Sequence, residues 1–334
     1  AGSWTARWIG SAEMESQSMG GKKINNKMSD PWLRKTFTLS GVPEDAVMYV
    51  ASVGYHELYV NGMKVGDAVL APSVTDHKSR ARYMTYDIAS YLKSGENVVA
   101  LWLGTSWAIF PAYQREDKPA IPMALAQAEI RLPSGKELRI VSDSSWKVHA
   151  SPNTLMGYWE AHHFEGEFYD ASLEADNWCA VDFDDSDWAA AKVYHPAIKV
   201  SSEPNRLMEE IKPLSVLEVS PGVYRVDMGI NYAGWFEMQI EGQPGDSVHF
   251  QFSEREKDVC SYGIHSIYKV GPKRKGTFCN RFNYMTGRWV QISGLRYKPT
   301  TDQIRGWMIR PDYRRSGGFE CDIPLLNNIY RTTL

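Results

Sequence analysis

Apolar residues in this chain recur at intervals of two far more often than at intervals of three or four, and that period restricts the fold to packed β-sheets. Phe236, Met238 and Ile240 alternate with Glu237, Gln239 and Glu241. After the turn residues Gly242 to Asp246 the apolar set resumes at Val248, Phe250 and Phe252, which predicts a hairpin with one dry and one wet face. Ile130 and Leu132 alternate with Glu129 and Arg131, and Pro133-Ser134-Gly135-Lys136 turns the chain into Leu138-Arg139-Ile140. The run His56 to Val60 meets Asn61-Gly62, a pair suited to the positive φ angles of a tight hairpin turn, so Met63 to Val65 is expected to return alongside it. Val98 to Leu103 is apolar without interruption and reads as a strand covered on both faces. Asp87 to Gly95 is the exception, with a capping residue, apolar side chains three and four apart and a terminating glycine, and predicts one or two helical turns. Many short strands between closely spaced turns make an all-β chain of β-sandwiches the expected architecture.

A length of 334 residues suggests two or three domains. Pro196, Pro204 and Pro213 interrupt a polar stretch between two strand-rich blocks, which places a first sandwich at 1–198 and a second at 199–315. Residues 316–334 break the pattern: Asp322 can cap a helix, Pro324 fits its first turn, and Leu325, Leu326, Ile329 and Tyr330 form an apolar stripe. A lone helix this short is marginal in water, so its packing partner is expected in polypeptide beyond Leu334. Lys plus Arg number 37 against 40 Asp plus Glu, a net charge of -3, which leaves no excess positive charge for a phosphate backbone; nucleic acid is not an expected partner. No apolar run approaches the ~20 residues that span a bilayer. The 4 cysteines include no C-x-x-C pair; free thiols and a Cys260 to Cys279 bridge both stay open.

The residues carry few catalytic signals. Glu165 with Glu167, and Glu254 with Glu256, would each share a face at strand spacing, yet solvated charge or hydrogen bonding to loop backbone explains them better than a catalytic pair. Asp182 to Asp187 departs from a calcium loop, with Asp187 where glycine is needed and Val193 where a bidentate glutamate is needed; an Asx-type turn before a Trp-anchored strand is expected. His162 and His163 would point to opposite faces of a strand, poor geometry for joint ligation, so no metal is expected there. The strongest signal is aromatic, with 12 Trp, 18 Tyr and 11 Phe. Trp107, Phe110 and Tyr113 lie in one irregular loop and Tyr158 and Trp159 in another. They are the candidate carbohydrate-binding residues, since a sugar's C–H face packs on a ring; the competing reading has them covering the core or a missing partner. Trp102, Trp235 and Trp289 fall in strands and read as core or interface residues.

Pro31 to Phe37, Val60-Asn61-Gly62, Val65-Gly66-Asp67, Tyr86-Asp87 and Gly95-Glu96-Asn97 resemble the amino-terminal jelly roll of the bacterial α-L-rhamnosidases. So do Gly166 to Ala171, Trp178 and Asp184 to Trp188, although Ser172 stands where relatives place arginine and Gly104-Thr105-Ser106-Trp107 where they carry GNGW. Asp227 to Trp235 is similar to the family's D-x-G-x-N-x-x-G-W strand, with Ile230 in place of glutamine, and Phe319 to Tyr330 resembles the entry to its (α/α)6 catalytic barrel. The resemblance implies two jelly-roll-like sandwiches followed by the first helix of a truncated barrel. It implies an inverting glycoside hydrolase releasing terminal α-L-rhamnose from glycans, without a cofactor, whose acid and base lie on the absent barrel. No residue here is therefore assigned a catalytic role, and the chain alone is expected to be inactive. The alternative is a free-standing carbohydrate-binding protein. The resemblance also implies a periplasmic or extracellular location.

Overall fold

A computed structural model describes residues 4–12, 28–110, 121–157, 164–202, 205–311 and 317–333. Among them the only α-helix is α1 (Pro324–Thr333); short 3-10 turns aside, the other elements are strands, as the period of two requires. The first are β1 (Trp8–Gly10), β2 (Trp32–Leu39), β3 (Asp45–Val53), β4 (Tyr55–Val60), β5 (Met63–Lys64), β6 (Arg80–Asp87), β7 (Gly95–Gly104) and β8 (Met123–Arg131). There follow β9 (Glu137–Val141), β10 (Lys147–His149), β11 (Asn153–Leu155), β12 (Glu167–Asp170), β13 (Ala189–Ala190), β14 (Lys192–Tyr194), β15 (Lys199–Ser202) and β16 (Asn205–Ile211). The last are β17 (Ser215–Ser220), β18 (Val223–Glu241), β19 (Ser247–Ser253), β20 (His265–Lys269), β21 (Lys275–Cys279), β22 (Met285–Ser293) and β23 (Ile304–Pro311).

Two sheets make the first sandwich. One runs β14, β1, β8, β3, β6, β15 with β9 beside β8; the other runs β13, β10, β2, β7, β4, β5. Met48, Val50, Ala126 and Ala128 from the first meet Leu33, Leu58, Val99 and Leu101 from the second in one buried core. The uninterrupted apolar run of β7 has its predicted cause: Val99, Leu101 and Leu103 face that core, while Ala100 and Trp102 face a second cluster on the opposite side. The β4/β5 and β8/β9 hairpins form as the turn residues predict. The segment after Asp87 makes only a single 3-10 turn, Ala89–Tyr91, because Leu92 leaves it in extended conformation.

The second sandwich is a 10-stranded sheet, ordered β11, β12, β20, β19, β22, β18, β23, β16, with β17 and β21 also on β18. The expected hairpin between 236–240 and 248–252 does not form. β19 lies between β20 and β22, whereas the second half of β18 pairs with β21 and β23. The apolar rings meet across the core instead, Phe236 lying 5.4 Å from Phe250 and 5.7 Å from Phe252. The pairing of β18 shifts between Asp227 and Tyr232, which lets one long strand serve two regions of a curled sheet. Gly229 sits in that shift at φ +79, where a Cβ would also meet Leu214 Cγ at 2.9 Å.

Two connections cross the 198/199 position. β11 and β12 join the second sandwich, β12 running parallel to β20, while β15 runs parallel to β6 in the first. The junction is thus woven from strands on both sides. Helix α1 forms over the expected residues, its start clasped by Asn327, which accepts from Cys321 N–H (2.9 Å) and donates to its carbonyl (2.6 Å). Leu325, Leu326 and Ile329 are exposed at 66%, 41% and 54%. All four cysteines are free, so Cys260 and Cys279 are not bridged.

Candidate functional site

The surface of β7 that faces away from the first core carries Trp102, and this ring anchors the junction of the sandwiches. Trp32 stacks on Trp178 at 4.7 Å and meets Trp102 edge-on at 5.5 Å, and Trp102 meets Phe282 of the second sandwich at 5.9 Å. Trp235 and Trp307 complete the cluster from the other side. Contact is close enough that a Cβ on Gly104 would lie 2.2 Å from the Phe282 ring.

Polar groups fix the register of this apolar contact. Glu167, on β12, is 1% exposed. Its carboxylate accepts from the backbone N–H groups of Arg281 (2.9 Å), Phe282 (2.6 Å) and Asn283 (3.1 Å), and from the amides of Asn153 (3.1 Å) and Asn280 (3.3 Å). Burial pushes its pKa up, against the opposing effect of those donors. The Asn153 amide also donates to Asp30 (2.8 Å), whose other oxygen accepts from Thr105 N–H (2.7 Å). Burial raises the Asp30 carboxyl to about 8, and the nearby Glu167 adds to the rise.

A second bridge is ionic. Arg281 donates to Glu57 at 2.7 Å and lies 4.1 Å from the Trp102 ring centroid, in cation–π range. Burial would raise the Glu57 carboxyl, but Arg281 and Lys64 outweigh it and hold the pKa at about 2. Glu57 is 3% and Arg281 29% exposed. Arg281→Gln is therefore expected to destabilise by about 2–3 kcal/mol, less than the ~3–5 kcal/mol of a fully buried pair because Lys64 still neutralises Glu57. Urea unfolding measures this; a loss below about 0.5 kcal/mol would place the pair among surface ion pairs of little consequence.

Beside this junction lies a groove made of two hollows. The first, of about 370 Å³, is lined by Tyr55, Leu70, Trp107, Gly234, Tyr284 and Arg310, among others. The second, of about 270 Å³, is lined by Trp107, Phe164, Glu165, Tyr262, Asn283 and Tyr284, among others. Trp107 and Tyr284 line both. Trp107 is carried by the 3-10 turn Ser106–Ile109 and meets Phe110 edge-on at 5.1 Å. Burial raises the pKa of the Tyr284 hydroxyl.

Of the candidate aromatics, Trp107 and Phe110 lie together in the structure; Tyr113, Tyr158 and Trp159, with His162 and His163, lie outside the described residues. Phe164, Tyr262 and Tyr284 also line the groove and were not among the candidate binding residues. A usable signal existed for Tyr262, an aromatic placed in the Ser261-Tyr262-Gly263 turn. Glu167 bonds loop backbone, as expected, and Glu254 and Glu256 are exposed. Asp184 accepts from Ser186 N–H in an Asx turn and Trp188 is buried, also as expected. Asp185 was not foreseen as the partner of Arg34, which is fully buried and reaches it at 2.6 Å. Trp102 and Trp235 are interface residues, whereas half-buried Trp289 packs between Arg225 and Arg288.

Residues 41–212 match the model of the α-L-rhamnosidase N-terminal domain, and residues 217–310 that of the bacterial α-L-rhamnosidase concanavalin-like domain. An α-L-rhamnosidase of Formosa agariphila is 28% identical over 326 residues, covering 90% of this chain and 33% of that protein. The α-L-rhamnosidase structure from Dictyoglumus thermophilum superposes with a TM-score of 0.85 at 29% identity, over 98% of this chain and 38% of its own. That of Streptomyces avermitilis, complexed with L-rhamnose, gives 0.81 at 26% identity, over 90% of this chain and 30% of its own. The chain thus spans about a third of the length of these relatives. With the first matched domain alone covering more than half of it, the chain belongs to the bacterial α-L-rhamnosidase family and corresponds to its N-terminal and concanavalin-like domains.

Proposed function

We propose that these two sandwiches are the accessory, non-catalytic portion of an α-L-rhamnosidase, and that the whole enzyme releases terminal α-L-rhamnose by direct attack of water. The observation that carries this reading is coverage: both matched domains are present, and they make up about a third of each relative. The carboxylates support it. Inverting hydrolysis needs an acid and a base ~6.5–9.5 Å apart across the scissile bond, with room for water. Glu167 is instead saturated by backbone and amide donors, Glu57 by cations and Tyr59, and Asp227 by the two-pronged contact of Arg288 at 2.6 and 2.8 Å. The exposed Phe319, Ile323, Leu325, Leu326 and Ile329 are in this reading the seat of the remaining two thirds of the enzyme.

The purified 334-residue chain is expected to release no sugar from an aryl α-L-rhamnoside, while the protein extended to the length of its relatives releases it. Turnover by the 334-residue chain would reject the assignment.

A further inference from the structure

We infer that the paired hollows over Trp107 and Tyr284 bind a glycan chain, with one pyranose ring in each. This inference rests on the proposed function for the choice of sugar but not for the existence of the site.

The lining matches the chemistry of a neutral sugar. A pyranose presents a flat C–H face and a rim of hydroxyls, so its site needs apolar rings with a few polar groups between them. Trp107, Tyr284, Phe164 and Tyr262 supply rings; Asn283, Thr286, Glu165 and Arg310 supply donors and acceptors. One acid and one guanidinium leave no excess charge, which disfavours a phosphorylated or polyanionic ligand. The hollows, about 370 and 270 Å³, lie near the ~300 Å³ lower end of small-molecule sites, the scale of a single ring each, and they occupy a domain junction, where such sites concentrate.

Backbone conformation is the second, independent observation. Among the described residues seven other than glycine have positive φ, and four of them are at this groove: Ser106 at 34°, immediately before Trp107, and the lining residues Leu70 at 47°, Glu165 at 46° and Tyr262 at 55°. Each such conformation costs of order 1–3 kcal/mol and persists where surrounding structure enforces it, with a preference for ligand sites. A wall that merely covered a core could have relaxed. Here two of the strained residues, Glu165 and Tyr262, line the same hollow.

The test titrates the 334-residue chain with methyl α-L-rhamnoside and, separately, with cellobiose, followed by tryptophan fluorescence and calorimetry. Saturable binding of the rhamnoside is expected. It should weaken about tenfold in Tyr262→Ala, whose side chain is largely exposed and whose loss leaves the core intact, and more modestly in Trp107→Phe, which keeps a ring. No saturable binding of either sugar, or binding unchanged in both variants, overturns the site. Binding of cellobiose alone overturns the choice of rhamnoside and retains the saccharide groove. Failure of the proposed function reads out separately, as absence of rhamnose release by the extended protein.

Discussion

Replacing Glu167 with leucine is expected to lower the stability of this chain by about 3 kcal/mol or more, the largest loss of any single substitution at the junction. The side chain is about the right size, so packing is not the issue. What disappears is an acceptor for three backbone N–H groups, those of Arg281, Phe282 and Asn283, and for the amides of Asn153 and Asn280. None of the three backbone donors can be removed in compensation, and each buried donor left unsatisfied costs ~1–3 kcal/mol. Glu167→Gln should fall between the two, because its remaining oxygen still faces Phe282 while its new NH2 is turned against donors. Denaturant unfolding gives the ranking. Proteolysis gives the location, since cleavage near 281–283 should rise before the first sandwich opens. A leucine variant within 0.5 kcal/mol of the parent would show that the carboxylate merely occupies space.

How much of this was legible depends on the range of the interaction involved. Hairpins closed by two to four turn residues, such as the one at Asn61-Gly62, are local, so period and turn chemistry sufficed. So did the covered strand at Val98 to Leu103, because a strand dry on both faces leaves its mark in its own residues. The pairing of 236–240 with 248–252 failed for the opposite reason. Alternation shows that Phe236 and Phe250 both point inward, but not whether they sit side by side in one sheet or face each other across the core. At the groove, Trp107 and Phe110 stood out because rings in an irregular loop are unusual. Tyr284 did not, because its role depends on a junction assembled from strands more than a hundred residues apart. The exchange of β11, β12 and β15 across the junction leaves no trace in periodicity either, since a strand reads alike whichever sandwich receives it.

Stability of the junction should fall as pH rises through neutrality, and Asp30→Asn should remove most of that dependence. Asp30 is 1% exposed and its carboxyl is raised to about 8, mainly by burial and further by Glu167, against the donors Thr105 and Asn153. In the unfolded chain the same group ionises near 3.8. The folded state therefore holds a proton that the unfolded state has lost, and the contribution, complete below about pH 4, declines until pH passes about 8. At ~1.4 kcal/mol per pH unit the whole window amounts to roughly 6 kcal/mol at most. His56, held at about 3 by burial, destabilises the fold in the acid direction, but it is common to both proteins and cancels in the comparison. Between pH 6.5 and 8 the parent should lose stability with each step while the asparagine variant stays nearly level and becomes the more stable of the two at pH 8. The effect reaches the groove, because Asp30 accepts from Thr105 N–H at the base of the turn that carries Trp107. Saccharide affinity should therefore weaken over the same interval in the parent and not in the variant. Parallel stability curves for the two proteins across that range would show that Asp30 is already ionised inside the fold, and the coupling to Trp107 would go with it.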